Sequence, residues 1–304
     1  MLYATGRPSE RRAALRAELA SGRLLRFPGA FNPLSAKLIE DKGFDGVYIS
    51  GAVIAADLGL PDVGLTTLSE VSARAGQISR MTTLPTIVDA DTGFGEPMNA
   101  ARAVQELEDA GVAALHIEDQ VNPKRCGHLA GKSIVDDDTA VQRIRSAASA
   151  RRDENLHIIA RTDMRAVDGL EAAIERAKVL IGAGADVVFP EALTDLSEFE
   201  AVRAAIDVPL VANMTEFGQS ELFTTQQLAD AGVNIVIFPV SLLRLAMGAA
   251  ERGLDTLNAE GSLRSEVPTM QTRVRLYELL DYEAYNTFDQ SIFNFSVPGT
   301  HDDH

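Results

Sequence analysis

Short apolar, β-rich runs alternate with helical stretches along the whole chain, and this alternation constrains the fold more than any other feature. The runs are Leu24–Phe27, Gly46–Ser50, Thr86–Asp91, Ala114–Asp119, His157–Asp163, Val187–Glu191, Pro209–Thr215 and Asn234–Pro239. Between most of them lie Ala/Glu/Arg-rich segments of helical periodicity, such as Asn99–Ala110, Gly169–Gly182 and Thr225–Ala231. Strands separated by helices pair in parallel. A weak internal repeat agrees: EDAGVAALHIED, IGAGADVVFPE and ADAGVNIVIFP each set Ala-Gly between a helix and a strand. Gly111, Gly184 and Gly232, with Gly43 in the same slot, are expected just past helix ends, where a left-handed residue closes the last turn. Eight βα units without a Gly/Ser/Pro-rich linker favour one α/β domain, a closed (β/α)8 TIM barrel over about residues 24–245. An open doubly wound sheet is the competing architecture. A helical extension is expected over 246–295 and a disordered tail over 296–304. Within the extension, Met270–Phe295 is an aromatic amphipathic stretch that either covers the barrel or packs on a neighbouring subunit.

Composition narrows the partners. The 304 residues carry 28 Lys+Arg against 44 Asp+Glu, a formal charge of −16, so nucleic acid and anionic membrane surfaces are repelled. No segment approaches the ~18 apolar residues of a membrane span. The charged N-terminal stretch lacks the apolar centre of a secretory signal. Cys126 is the sole cysteine, which excludes an intrachain disulfide or a Cys-rich zinc site and points to the cytoplasm.

In a parallel barrel the chemistry gathers where the strands end. Asp89 and Asp91 stand two apart and are expected to share one strand face. Paired carboxylates repel unless a cation or a proton lies between them, and Mg²⁺, which takes one or two carboxylates and keeps several waters, suits the pair. Glu118 ends the next strand and is placed to hold metal-bound water. The segment after it, Asn122 to Lys132, puts Lys124, Arg125, His128 and Lys132 around Cys126, charges that favour its thiolate, with Gly127 and Gly131 allowing the loop to close as a lid. Zinc bound by Cys126 and His128 is disfavoured by the adjacent cations, and the pair is a weak signal for a Cys-His hydrolase. Arg161 could fork onto a ligand carboxylate or pair with Asp163. Asn213 and Thr215 offer neutral hydrogen bonds, and Arg244 adds a cation. A cation site, two arginines and a basic loop on an acidic protein imply a small polycarboxylate ligand. Such parts suit a retro-aldol or retro-Claisen cleavage in which a metal polarises a hydroxy or oxo acid and a thiol protonates the carbanion.

Nine ordered motifs carry a resemblance: Tyr48-Ile-Ser-Gly, Gly59-Leu-Pro-Asp62, Val88-Asp-Ala-Asp-Thr-Gly-Phe-Gly95, His116-Ile-Glu-Asp-Gln120, Lys124-Arg-Cys-Gly-His128, Ala160-Arg-Thr-Asp163, Phe189-Pro-Glu191, Thr215-Glu-Phe-Gly218 and Met270-Gln-Thr-Arg273. Over about residues 25–290 the chain resembles the 2-methylisocitrate lyases of the isocitrate lyase/phosphoenolpyruvate mutase superfamily. The resemblance implies a Mg²⁺-dependent barrel, with Mn²⁺ as a possible substitute, that cleaves 2-methylisocitrate to pyruvate and succinate in the methylcitrate cycle of propionate catabolism. It implies a homotetramer whose C-terminal helices swap between subunits. Carried over by motif, Ser50, Gly51 and Ala52 hold the pyruvate-like part, Asp89 and Asp91 direct the metal, and Cys126 is the acid that protonates the succinate carbanion. His128 and Tyr48 join Cys126 in the catalytic set, Tyr48 on the alkoxide side. Gly127, Arg161, Glu191, Asn213, Thr215, Arg244 and Arg273 complete the substrate and metal-water shell, and Phe189, Ile237 and Pro239 form an apolar wall for the methyl group. The chain departs from the family pattern at Ser50-Gly51-Ala52-Val53, where a Ser-Gly-Gly segment is shortened. Lyase or decarboxylase action on isocitrate, 2,3-dimethylmalate or oxaloacetate stays open, as does a non-catalytic carboxylate-binding barrel.

Overall fold

The computed structural model describes residues 4–125, 127 and 131–293. Among them, eight strands occupy the eight apolar runs: β1 (Leu25–Pro28), β2 (Val47–Ile49), β3 (Thr86–Asp89), β4 (Ala114–Glu118), β5 (His157–Thr162), β6 (Val187–Pro190), β7 (Val211–Asn213) and β8 (Ile235–Phe238). Every pairing is parallel, in the orders β2-β3-β4-β5-β6 and β1-β8-β7. Single bridges, Gly29 to Tyr48 and Val188 to Leu210, join the two sets at both seams. The first strand meets the last, so the sheet closes into a (β/α)8 barrel and the open doubly wound alternative is excluded.

Local chemistry sets the helix limits. Thr67 and Glu70 cap the Leu68–Ser79 helix reciprocally, the Glu70 amide donating to Thr67 Oγ1 at 3.3 Å and the Thr67 amide to Glu70 Oε2 at 2.8 Å. Gly43, Gly111, Gly184 and Gly232 take φ values of 72°, 87°, 113° and 82° at helix ends, as the repeat predicts. Side chains of Leu25, Phe27, Tyr48, Ile87, Ile159, Phe189 and Ile237 fill the barrel, while the other strand face packs under the helices.

Two elements were not legible as they stand. The Pro8–Ala20 helix inserts Leu15 and Leu19 into the barrel-interior cluster. It is tied there by Arg11 and Arg12, which donate to carbonyls of Thr82, Glu108, Gly111 and Val112, at the entry to β3 and β4. It therefore plugs the end opposite the strand carboxyl termini. At the other end of the chain, one helix runs from Ser241 to Glu260 across the boundary expected at 245 and contains no buried residue. The Arg273–Leu280 helix lies against the Pro33–Asp41 helix through buried Leu279 and an Arg275–Asp41 ion pair. The Tyr282–Phe293 helix exposes Tyr282, Tyr285, Phe288 and Phe293. Phe295 and the tail 296–304 lie outside the described residues.

Candidate active site

The carboxyl ends of the strands converge on a cluster of buried charge. Asp89 ends β3, but Asp91 has already left the strand with φ 45°. The two carboxylates meet through this left-handed step, not through the strand periodicity expected of them. Asp89 Oδ1 accepts the Asp91 amide at 3.0 Å and Oδ2 accepts the Gly51 amide at 3.2 Å. A Cβ on Gly51 would come within 2.9 Å of Asp89 Oδ2, so only glycine lets the backbone approach so closely. Burial and the charge of Asp89 raise the Asp91 carboxyl to about 6. Burial also acts on Asp89, but His116, Lys124 and Arg161 outweigh it and hold that carboxyl below its ordinary value.

Lys124 departs most from its expected place. Its buried ammonium lies 2.8 Å from Asp91 Oδ1 and 2.5 Å from Asp62 Oδ1, committed to two carboxylates. Lys132 is likewise committed, 2.8 Å from Asp163 Oδ1 and donating to the Gly127 carbonyl. Two of the four loop cations therefore answer carboxylates. Cys126 and His128 lie outside the described residues. Their neighbours are held: Gln120 accepts the Arg125 amide at 2.8 Å and donates to its carbonyl at 2.9 Å. Gly127 is buried, and a Cβ on it would stand 2.3 Å from Arg161 Nη2 and 2.6 Å from Glu191 Cγ. The loop thus enters the mouth directly over β5 and β6.

Barrel register builds the rest. Glu118 sits opposite Arg161, and Arg161 opposite Phe189. The buried Arg161 guanidinium contacts three carboxylates: Asp163 at 3.1 Å, Glu191 at 3.2 Å and Glu118 at 3.3 Å. Both oxygens of Glu118 are buried without a hydrogen bond. Burial raises its carboxyl well above the ordinary range despite Arg161. Beside it, Tyr48 Oη lies 2.7 Å from His116 Nε2, while His116 Nδ1 stands 3.6 Å from Asp89 Oδ1. Burial, with Arg161 and Lys124 against Asp89, lowers His116 to about 4, so the imidazole is neutral near pH 7 and carries charge only in the acid range in which Asp89 titrates. Burial and Asp89 push the Tyr48 phenol well up, so it is protonated.

These groups open on a cleft of ≈ 340 Å³ whose lining includes Tyr48, Ser50, Ala52, Asp62, Asp89, Lys124, Gly127, Arg161, Glu191, Asn213, Thr215, Pro239 and Arg244. That size suits a small ligand. A larger cavity of ≈ 560 Å³ borders Asp91 outside this cleft, but its basic side chain, Arg102, is exposed and paired with Glu106. The cleft therefore fits a polycarboxylate better. Asn213 Nδ2 reaches Glu191 Oε1 at 3.3 Å, and Arg244 Nη1 reaches Thr215 Oγ1 at 3.1 Å. The apolar wall expected for the methyl is only partly at the surface: Pro239 lines the cleft, whereas Phe189 and Ile237 belong to the barrel interior beneath it. Arg273 is exposed at the start of the Arg273–Leu280 helix and does not line the cleft of its own chain, because that helix packs on the outside of the barrel.

Sequence reasoning missed Asp62 and His116 as working groups, although both stand in motifs it singled out, Gly59-Leu-Pro-Asp62 and His116-Ile-Glu-Asp-Gln120. A histidine in an apolar strand reads as core, and nothing near Asp62 in sequence shows that Lys124 will reach it. Among the described residues no three His, Cys, Asp or Glu form a metal cage. A cation that needs only one or two carboxylates nevertheless fits Asp89 and Asp91, with Glu118, whose oxygens make no hydrogen bond and of which only Oε2 faces Arg161, offering an acceptor to its waters. Asp62, Asp89 and Asp91 also outnumber the one ammonium among them.

Residues 15–257 match the family model described as phosphoenolpyruvate phosphomutase. Over 290 residues, 95% of this chain and 94% of the relative, the chain is 59% identical to a protein of Corynebacterium glutamicum named probable 2-methylisocitrate lyase 2. A crystal structure of 2,3-dimethylmalate lyase superposes with a TM-score of 0.88 at 34% identity, covering 97% of this chain and 99% of that one. Phosphonopyruvate hydrolase in complex with oxalate and Mg²⁺ superposes with a TM-score of 0.85 at 29% identity, covering 93% of this chain and 99% of that one.

Proposed function

The chain belongs to the phosphoenolpyruvate phosphomutase family, and from that premise we propose that it is a carbon–carbon lyase cleaving 2-methylisocitrate to pyruvate and succinate in the methylcitrate cycle. The observation that carries the reading is the seat of Gly127 against Arg161 and Glu191, which brings the Lys-Arg-Cys-Gly-His loop, and so the residue next to Cys126, to the cleft that holds Asp89. Its similarity to the Corynebacterium glutamicum lyase supports the same substrate.

Asp89 and Asp91 would hold Mg²⁺, with Glu118 accepting from its waters. Bound there, the ion supplies Lewis-acid polarisation of the ligand's oxygen. Ser50, Gly51 and Ala52 cradle the pyruvate end. Tyr48 Oη takes the ligand's hydroxyl proton while passing its own to the neutral His116 Nε2. The oxygen's electron pair forms the keto group, the C–C bond breaks, and its electrons move onto the carbon beside the succinate carboxylate. Cys126 donates its proton to that carbon, and His128 belongs to the same catalytic set. Arg161, Asn213, Thr215 and Arg244 face the ligand's remaining carboxylates, and Glu191 orients Arg161 and Asn213.

A coupled assay for pyruvate, with 2-methylisocitrate, isocitrate, 2,3-dimethylmalate and oxaloacetate as substrates and with or without chelator, tests the reading. Turnover of 2-methylisocitrate that a chelator abolishes and Mg²⁺ restores is expected. Preference for another acid on that panel would reassign the substrate. Cys126→Ser should lose turnover yet still bind succinate; near-normal turnover would remove the thiol from the acid role. No helix among the described residues is long and apolar enough to cross a membrane. The pathway agrees with a cytoplasmic enzyme, and the exposed C-terminal helices agree with a homotetramer that swaps them.

A further inference from the structure

Arg244, at the rim of the cleft, already holds a carboxylate. Its Nη1 donates to Glu216 Oε2 at 3.0 Å, to the Glu216 carbonyl at 2.6 Å and to Thr215 Oγ1 at 3.1 Å. The other Glu216 oxygen accepts the Ser241 hydroxyl at 2.5 Å. All three arginine bonds leave from one nitrogen, so the two-donor edge of the guanidinium makes no hydrogen bond among the described residues. The pair is also accessible, with side-chain exposures of 37% and 33%, a setting in which ion pairs are weak. Next along the loop, Phe217 is 94% exposed at φ 59°, a bulky residue in the left-handed region, and the Arg244 guanidinium lies 5.3 Å from its ring centroid. A one-point, half-wet contact on a strained loop is easily exchanged. A ligand carboxylate can do better by taking the unused fork with both oxygens.

We infer that Glu216 sets ligand affinity and selectivity by occupying Arg244 as an internal stand-in for a substrate carboxylate. A ligand that brings its own carboxylate to the unused fork of Arg244 must either displace Glu216 or share the one guanidinium with it against carboxylate–carboxylate repulsion, whereas one that engages only the far end of the cleft meets neither cost. The inference rests on the reading that Arg244 receives a substrate carboxylate. It makes Glu216 a selectivity residue acting through Arg244, not a catalytic one.

Calorimetric titration of the full chain in Mg²⁺ with succinate and, separately, pyruvate tests it in the wild type, Glu216→Gln, Ser241→Ala and Arg244→Met. Glu216→Gln should bind succinate roughly three- to fivefold tighter, the scale of a partly exposed ion pair, with pyruvate unchanged. Ser241→Ala, which loosens the same carboxylate, should move succinate the same way by about twofold. Unchanged or weaker succinate binding in Glu216→Gln would show that Glu216 merely steadies Arg244, and the inference falls. Arg244→Met should lose at least about tenfold in succinate affinity. Undiminished succinate binding there would overturn the reading of Arg244 and the inference together.

Discussion

At the scale of single residues, the site works by close approach and by charges that answer one another. Gly127 is the sharpest case, because any side chain would overlap Arg161 Nη2 and Glu191 Cγ. Gly127→Ala should therefore leave the barrel intact but unseat the loop that carries Cys126. Displacements of about 1 Å can cost ~100-fold in rate. A fall in kcat/KM of that order with an unchanged melting temperature is expected, and a fully active variant would mean that the loop reacts from another position. Pro239 and Ala52 would be the apolar surface for a ligand methyl, since they line the cleft whereas Phe189 and Ile237 lie in the barrel interior. One methyl in such a pocket is worth ~1–3 kcal/mol. Steady-state kinetics should then show 2-methylisocitrate preferred over isocitrate in kcat/KM by roughly 10- to 200-fold, and no preference would remove Pro239 from that role.

At the scale of elements, the Pro8–Ala20 helix is a plug whose Leu15 and Leu19 complete the barrel core from the end away from the chemistry. Leu15→Ala should cost about 2–5 kcal/mol in urea unfolding while kcat/KM of the folded enzyme is unchanged. A loss of activity without a loss of stability would contradict the plug. The eight strands and the glycines closing the helices before them were legible because periodicity and a left-handed residue are local properties, visible at Gly111 and Gly184 without any partner. The plug was not, since a helix bearing Arg11, Arg12 and Arg16 looks like a solvated surface until the carbonyls that Arg11 and Arg12 bind are in place. Likewise Asp89 and Asp91 were recognised as a pair for the wrong geometric reason. The turn at Asp91 follows from its amide bonding to Asp89 and its side chain meeting Lys124, and that partner comes from a different βα unit. Arg161 beside Asp163 was legible from spacing, but the convergence of Glu118 and Glu191 on it needed the register of three strands.

At the scale of the whole molecule, acid stability draws on a group remote from the cleft as well as on His116 within it, and assembly follows from remote groups. His157, at the start of β5, is buried, and burial, with Arg16 and Arg151 against Asp186, lowers it from 6.5 to about 4. Between those values the unfolded chain binds a proton that the folded one does not, so stability falls as pH drops through that window. A shift of that size corresponds to roughly 3 kcal/mol. His157→Gln should flatten the fall in the urea midpoint between pH 6.5 and 4, and an unchanged slope would assign the acid sensitivity elsewhere. Assembly is the larger matter. From Ser241 to Phe293 only Leu279 is buried, while Leu245, Met247, Leu254, Tyr277, Tyr285 and Phe288 are all exposed. Apolar surface on that scale is rare on a monomer, and the Ser241–Glu260 helix buries no residue fully, with Leu242 packed half-buried against the core of its own barrel. If the C-terminal helices pack on neighbouring subunits, the double variant Tyr285→Asp, Phe288→Asp should convert a tetramer into smaller species in sedimentation velocity. Activity per subunit should then fall on dilution, because Arg273, which does not line the cleft of its own chain, would reach one only across a subunit boundary. A wild-type chain that sediments as a monomer at micromolar concentration, fully active, would leave Arg273 without a role in the reaction and those aromatic side chains without a partner.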